Sequence, residues 1–241
     1  MSKHGKKYTD AVKLIEPGKE YAPKEAMELL LKVKHAKFDE TVDVHMRLGV
    51  DPRHADQQVR GVVLLPSGTG KKVRILVFAE GEAARIAQEA GADIVGLDDI
   101  IAKIQQENWL EFDTAVAVQQ VMGKVSKLGR ILGSRGLMPN PKAGTLVQNA
   151  SDLPRVIKEL RMGRVEFKVD KTACLHVPIG KSSFTAEQLL ANFAALADAV
   201  NRAKPASLKG QYIRRIAVTT TMGPGIRVDP MQAINLGSVA I

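Results

Sequence analysis

Cysteine is almost missing from this 241-residue chain: Cys174 stands alone, which excludes an internal disulfide framework and an all-cysteine zinc site and fits a reducing compartment. Aromatic residues are scarce at 4%, so few rings are available for stacking. Long apolar runs are missing too. Lys3, Lys6 and Lys7 are followed by no apolar stretch, and no later segment approaches the ~20 apolar residues that a bilayer requires. The expectation is a cytoplasmic protein. Catalytic signatures are equally thin. His4, His35, His45, His54 and His176 lie singly, without the paired spacing of a zinc helix or a nearby G-x-S-x-G pattern. Gly68, Gly70, Lys71 and Lys72 look like a phosphate loop, but Leu65 stands where that motif needs Gly, and Lys72 where it needs Ser or Thr. No G-x-G-x-x-G follows the apolar run at 73–79, and Glu80 and Glu82 in the next turn would repel a pyrophosphate. We expect no enzyme, no cofactor and no metal.

What is present is ordinary globular composition, with 45% hydrophobic and 25% charged residues, combined with an excess of positive charge. Lys and Arg number 35 against 26 for Asp and Glu, giving +9 and a pI of about 9.6, so a polyanion becomes the leading partner class. The charge is uneven along the chain. Residues 1–67 carry 12 basic and 10 acidic groups, residues 68–159 carry 12 and 11, and residues 160–241 carry 11 and 5.

The middle piece alternates strand and helix. A buried-type run at 73–79 leads to helical periodicity at 82–90, Ile94 and Val95, a second helix at 98–107 and an apolar run at 115–118. That order predicts a small α/β domain around a parallel sheet. The outer pieces differ, with a helix at 23–34 and then alternation from 42 to 50. Val42, Val44, Met46, Leu48 and Val50 share one face of that strand, and Asp43, His45 and Arg47 take the other. Further strands are expected at 62–65, 165–169, 174–179, 213–221 and 226–228, with a helix at 186–202. Neither outer piece can close a core alone. The predicted fold is therefore a discontinuous α+β domain, residues 1–67 and 160–241, with an α/β domain, residues 68–159, inserted into it. Two short hinge strands, marked by Ser67, Gly68 and Gly163, would join the two.

Two stretches point to nucleic acid. Residues 114–151 contain no Asp or Glu but hold Lys124, Lys127, Arg130, Arg135 and Lys142, on a loop that its glycines and prolines keep from forming a long helix. These are candidates for a secondary phosphate contact, against the plainer reading of a solvated face. The second stretch, TTTMGPG at 219–225, ends an apolar strand. Alternation puts Thr219 and Thr221 on one face and Thr220 on the other; hydroxyls suit RNA 2′-hydroxyls, and Gly223 permits close backbone approach, but taken alone the stretch reads more simply as β-branched strand formers before a turn.

Several motifs in order, KFDETVDV (37–44), LGRILGSRGLMPNPKAGT (128–145), EFKVDKT (166–172), IGKSSF (179–184) and TTTMGPG, resemble the bacterial large-subunit ribosomal protein L-one family, the proteins of the mobile stalk beside the tRNA exit site. The resemblance runs from near the start to about Pro230, with Ser134 in place of a usual Pro and a tail, 231–241, beyond the usual end. It implies that the discontinuous domain binds large-subunit rRNA and that the inserted domain is Rossmann-like without a dinucleotide. It further implies contact with exit-site tRNA, a role in release of deacylated tRNA, and repression through the messenger RNA of its own operon. By similarity, RNA contact falls to Lys37, Phe38, Thr41, Lys168, Asp170, Lys171, Thr219, Thr221, Met222 and Gly223. Two roles stay open at this point. Phe38 can stack on a base or fill the core, and Asp170 can accept from RNA or orient Lys171.

Overall fold

The computed structural model describes residues 5–239, and the chain divides into two compact units. Residues up to Gly70 join those from Met162 onward in the first, and Lys71–Arg161 forms the second. Each unit has a hydrophobic core of its own. Counted this way, the first unit holds 22 basic and 15 acidic residues and the second 13 and 11, so the positive excess lies mainly in the first.

In chain order the elements begin α1 (Lys6–Lys13), α2 (Pro23–Val33), β1 (Thr41–Leu48), β2 (Arg60–Leu64), β3 (Ile75–Phe78), α3 (Gly81–Glu89), β4 (Ile94–Gly96), α4 (Asp98–Glu107) and β5 (Thr114–Val118). They continue α5 (Met122–Val125), α6 (Gly129–Ser134), β6 (Leu146–Val147), α7 (Leu153–Arg161), β7 (Arg164–Lys168), β8 (Cys174–Lys181), α8 (Ala186–Arg202), β9 (Ile213–Thr220), β10 (Ile226–Val228) and α9 (Pro230–Val239).

The first unit is built on an antiparallel sheet of order β10-β9-β1-β8, beside a two-stranded pair β2-β7. Alternation along β1 sorts its side chains: Val42, Val44, Met46 and Leu48 are buried, and α2 and α8 cover that side of the sheet. Thr41, Asp43, His45 and Arg47 lie on the other face. The strand stops at Leu48, short of the expected Val50, because the backbone there turns into other partners. Leu48 N donates to Ala173 O and Gly49 N to Tyr212 O. A side chain at Gly49 would collide with Gln211 O. Helix α8 begins with a reciprocal capping box between Thr185 and Gln188.

The second unit is a parallel sheet of order β4-β3-β5-β6, and every residue of β3 is buried, as its unbroken apolar run predicted. Two differences from expectation stand out. The acid-free segment is less loop-like than its glycines suggest, since α5 and α6 form short helical turns within it. Helix α7 was not expected, although Leu153, Val156, Ile157 and Leu160 are spaced for one helix face and are all buried. In the first unit the tail also becomes helical. Asp229 accepts from Met231 N at 2.8 Å and Pro230 opens α9, which packs on α8 and β9 with Ala233 buried.

The two crossings into and out of the second unit begin side by side. Leu65 N donates to Gly163 O at 3.2 Å, and both Gly68 (φ +71) and Gly163 (φ +103) occupy the left-handed region. The fully buried Asn192 accepts from Ser67 N at 2.9 Å and donates to Gly68 O at 2.9 Å and Ile179 O at 2.7 Å. A Cβ on Gly163 would sit 2.6 Å from Gly68 Cα, against backbone that Asn192 holds in place. We therefore predict that Gly163→Ala destabilises the protein by about 2 to 4 kcal/mol, combining strain at positive φ with a backbone clash. Urea unfolding of the variant checks this, and an unchanged midpoint refutes it.

Candidate nucleic-acid interface

Three segments meet where β1 begins and β8 and β9 end: the loop at 36–40, the turn at 182–184 and the turn at 221–225. Two adjacent acids tie them together. The Glu40 carboxyl, wholly buried, accepts from Met222 N at 2.9 Å and Ala36 N at 3.3 Å, while Glu40 N donates to Ser182 Oγ and Glu40 O accepts from Ser182 N. Asp39 accepts from Ser182 Oγ, Ser183 N and Ser183 Oγ at 2.9 to 3.1 Å. Desolvation pushes the Asp39 pKa up, but the hydrogen bonds from Ser183 and Ser182, with Lys181 nearby, outweigh it and hold the carboxyl below its usual range.

The threonines complete this rim rather than standing free. Thr221 N donates to Thr41 O, Thr41 N donates to Thr221 Oγ1, and Lys181 Nζ donates to Thr41 Oγ1 at 2.8 Å. Thr219 Oγ1 donates to Gly223 O at 3.1 Å. Thr220 is buried, and a side chain at Gly223 would run into its hydroxyl. With the backbone so fixed, Lys37 is exposed and Phe38 and Met222 stand 56% and 54% exposed. Phe38 therefore does not fill the core. It presents its ring to solvent beside Met222's side of the rim.

Lys168, Asp170 and Lys171 occupy the other end of the sheet, before β8 begins, roughly 23 Å along β1 from the rim. The ten expected residues thus form two groups, not one patch. Asp170 acts on its own turn: its Oδ1 accepts from Cys174 N and Thr172 N at 2.7 and 2.8 Å, and its carboxylate also takes the Thr172 hydroxyl. These bonds, led by that from Cys174, hold its pKa below the usual carboxylate range. The turn so braced carries an exposed Lys171.

The open face of the sheet links the two groups. His45 lies across from His176, with Nδ1 to Nδ1 at 2.8 Å, and His176 Nε2 is 3.7 Å from Asp170 Oδ2. Burial first, then the neighbouring His176, lowers the His45 pKa against the opposing pull of Asp43. Beside them Arg47 stands directly across from Arg215, and Arg227 is on the next strand; all three are exposed. Like charges facing one another across strands are unfavourable unless an anion lies over them.

A profile of the ribosomal protein L1p/L10e family matches residues 30–224, a span that includes all of these segments except Gly225 and Arg227. The chain belongs to that family. It is also similar to the large ribosomal subunit protein uL1 of Thermomicrobium roseum, with 58% identity over 229 residues, or 95% of each chain. In this L1p/L10e protein the sequence-expected contacts Lys37, Phe38 and Met222 reach solvent together, whereas Thr41, Thr219 and Thr221 serve mainly to shape the rim that carries them.

The acid-free segment of the second unit does not remain one-signed once folded. Lys124 bridges Glu80 at 2.6 Å and Asp98 at 3.0 Å, and these bonds raise its pKa. Lys127, Arg130, Arg135 and Lys142 have no ion pair among the described residues. Sequence reasoning missed Glu40, Arg215 and Arg227. The alternation that placed His45 and Arg47 on the open face was readable; the cross-strand partners were not.

Two outcomes follow. Glu40→Ala leaves the amides of Met222 and Ala36 without their acceptor, and we expect a loss of roughly 2 to 4 kcal/mol in urea unfolding, with proteolysis entering first at 221–225. Asp39 and Asp170 both have depressed folded-state pKa values, so their stabilisation is complete above the unfolded value near 3.8 and is lost as pH falls through the lower folded values. The double variant Asp39→Asn, Asp170→Asn should lose more stability at pH 7 than at pH 2.5; midpoints measured at both pH values decide this.

Proposed function

We propose that the protein is a structural constituent of the large ribosomal subunit and that it binds large-subunit rRNA through the rim and open face of its first unit. The observation carrying this reading is Arg47 placed opposite Arg215 on an uncovered sheet, in a family of ribosomal proteins. The similarity to a large ribosomal subunit protein supports the same assignment. Arg47, Arg215, Lys37 and Lys181 anchor phosphates, which gives strength that falls with salt. Phe38 stacks on an exposed base, Met222 adds apolar contact, and Gly223 lets the RNA backbone approach. The residual hydroxyl capacity of Thr41, Thr219 and Thr221 reads 2′-hydroxyls.

Three finer roles rest on the family resemblance. At the stalk beside the exit site the protein contacts tRNA and helps release deacylated tRNA, with Lys127, Arg130, Arg135 and Lys142 of the second unit as secondary RNA contacts. The backbone near Ser67, Gly68 and Gly163 acts as the hinge. Because Asn192 grips Ser67 N and Gly68 O, the flexing bonds lie beyond Gly68, at Gly70 and before Met162. Unassembled protein captures a similar fold in the messenger RNA of its own operon and represses it. One surface serves both RNAs, so the message must bind more weakly than rRNA for repression to wait until ribosomal sites are filled.

Fluorescence titration of an rRNA fragment in fixed salt tests the site. Phe38→Ala should weaken binding by about 1 to 3 kcal/mol, roughly 5- to 150-fold, with little change in stability because the ring is exposed. Unchanged affinity removes Phe38 from the interface. Replacing residues 71–161 by a short linker, feasible because Gly68 and Gly163 are adjacent, should retain rRNA binding. Loss of binding in a folded protein of this kind moves the site to the second unit.

A further inference from the structure

Far from the rim, the first unit has an open cleft of about 690 Å³ walled by the segments at 49–53, 171–173 and 207–214. Four exposed cations line it: Arg53, Lys171, Lys209 and Arg214. None of the four has an ion pair among the described residues. The one carboxylate in the lining, Asp51, is turned onto its own loop, accepting from Arg53 N at 3.0 Å with His54 at 3.9 Å.

The cleft is held open by backbone rather than by flexible side chains. Its floor is tied by Leu48 N to Ala173 O at 2.8 Å and Gly49 N to Tyr212 O at 2.7 Å. Ala173 takes a φ of +63, a conformation that residues with a side chain rarely adopt and that Asp170 sustains by bracing the turn on either side. Arg214 owes its position to a bulge. Arg47 pairs with Arg215 and Leu48 with Ile213, so Arg214 is the extra residue, turned out of the ladder toward Gly49. A bulge, a strained turn and a side-chain-free Gly49 converge on a space lined by four cations and one carboxylate.

We propose that this cleft binds phosphodiester groups of the same structured RNA that lies on the rim and open face, as a second anchorage one strand length from Phe38 and Met222. The proposal rests on the rRNA-binding reading and adds Arg53, Lys209 and Arg214 to it. Arg47, Arg215 and the histidine pair form the path between the two anchorages. The cleft supplies charge without ring or base-edge groups, so it contributes strength and orientation, and the rim contributes discrimination. Four cations held apart around an open space fit a run of phosphates better than one small anion.

The test is the dependence of rRNA-fragment affinity on salt for the full chain. Arg53→Gln with Lys209→Gln should weaken binding and flatten the slope of log affinity against log salt by about 1.4 to 2, whatever the base sequence on the rim. Phe38→Ala should weaken binding with the slope unchanged. Arg214→Lys, which keeps the charge at the bulge, should keep the slope, whereas Arg214→Gln should lower it by about 0.7 to 1. If the double variant binds with wild-type affinity and slope, the cleft proposal is wrong while the rim reading stands. If wild-type protein binds no structured RNA at all, the rRNA reading fails and takes this one with it. Saturation of the cleft by inorganic phosphate alone, with the RNA slope untouched in the variants, assigns it to a small anion and overturns the proposal.

Discussion

A buried carboxyl organises the rim of the first unit. Glu40 lies at the start of the central strand with no exposed surface, and its bonds reach Ala36 behind it and Met222 across the sheet, while its backbone binds Ser182. Buried polar groups are tolerated only when their hydrogen bonds are made, and here each bond made joins a different segment. The loop before β1, the turn after β8 and the turn after β9 therefore hold one geometry together. The exposed Phe38 and Met222 gain their placement from a group that is itself wholly buried.

The same division between presenting and touching runs through the rest of the site. Thr221 and Thr41 spend hydroxyl and amide on each other, Thr219 closes the turn onto Gly223, and Asp170 braces the turn that carries Lys171. A rim whose polar atoms are already paired loses little conformational freedom on binding, so more of the contact energy survives as affinity. The second unit has a different economy. Lys124 is drawn into ion pairs with Glu80 and Asp98 from neighbouring segments of the same unit, whose 13 basic residues are nearly matched by 11 acidic ones.

Most of this fold was legible where periodicity is strong. Helix 186–202, helix 98–107 and strand 226–228 coincide with α8, α4 and β10, because capping chemistry and one-sided apolar spacing act within a single element. Helices α9 and α7 also carry local signals, Asp229 and Pro230 at the start of the first and a regular apolar face on the second. The misreadings with a deeper cause are those that depend on pairing. No property of residues 114–151 alone reveals that Glu80 and Asp98 will neutralise Lys124, and no pattern along 213–220 reveals that Arg215 will face Arg47 or that Arg214 will be bulged aside. Register is set between strands, and it decides which charges cancel and which accumulate.

That accumulation bears on what the open face is for. A sheet surface meant only for water would gain by placing an acid near Arg47; on the neighbouring pair of strands Arg60 also faces a cation, Lys168, but Glu166 reaches it diagonally at 2.5 Å. The difference lies in the diagonal acid, which β7 supplies to Arg60, whereas on β1 and β9 two arginines face each other without an ion pair among the described residues, and a third arginine and a histidine pair stand close by. Glu20 lines the same space and offsets part of this charge, and an anion of extended shape laid along the strands would offset the rest for all of these groups at once.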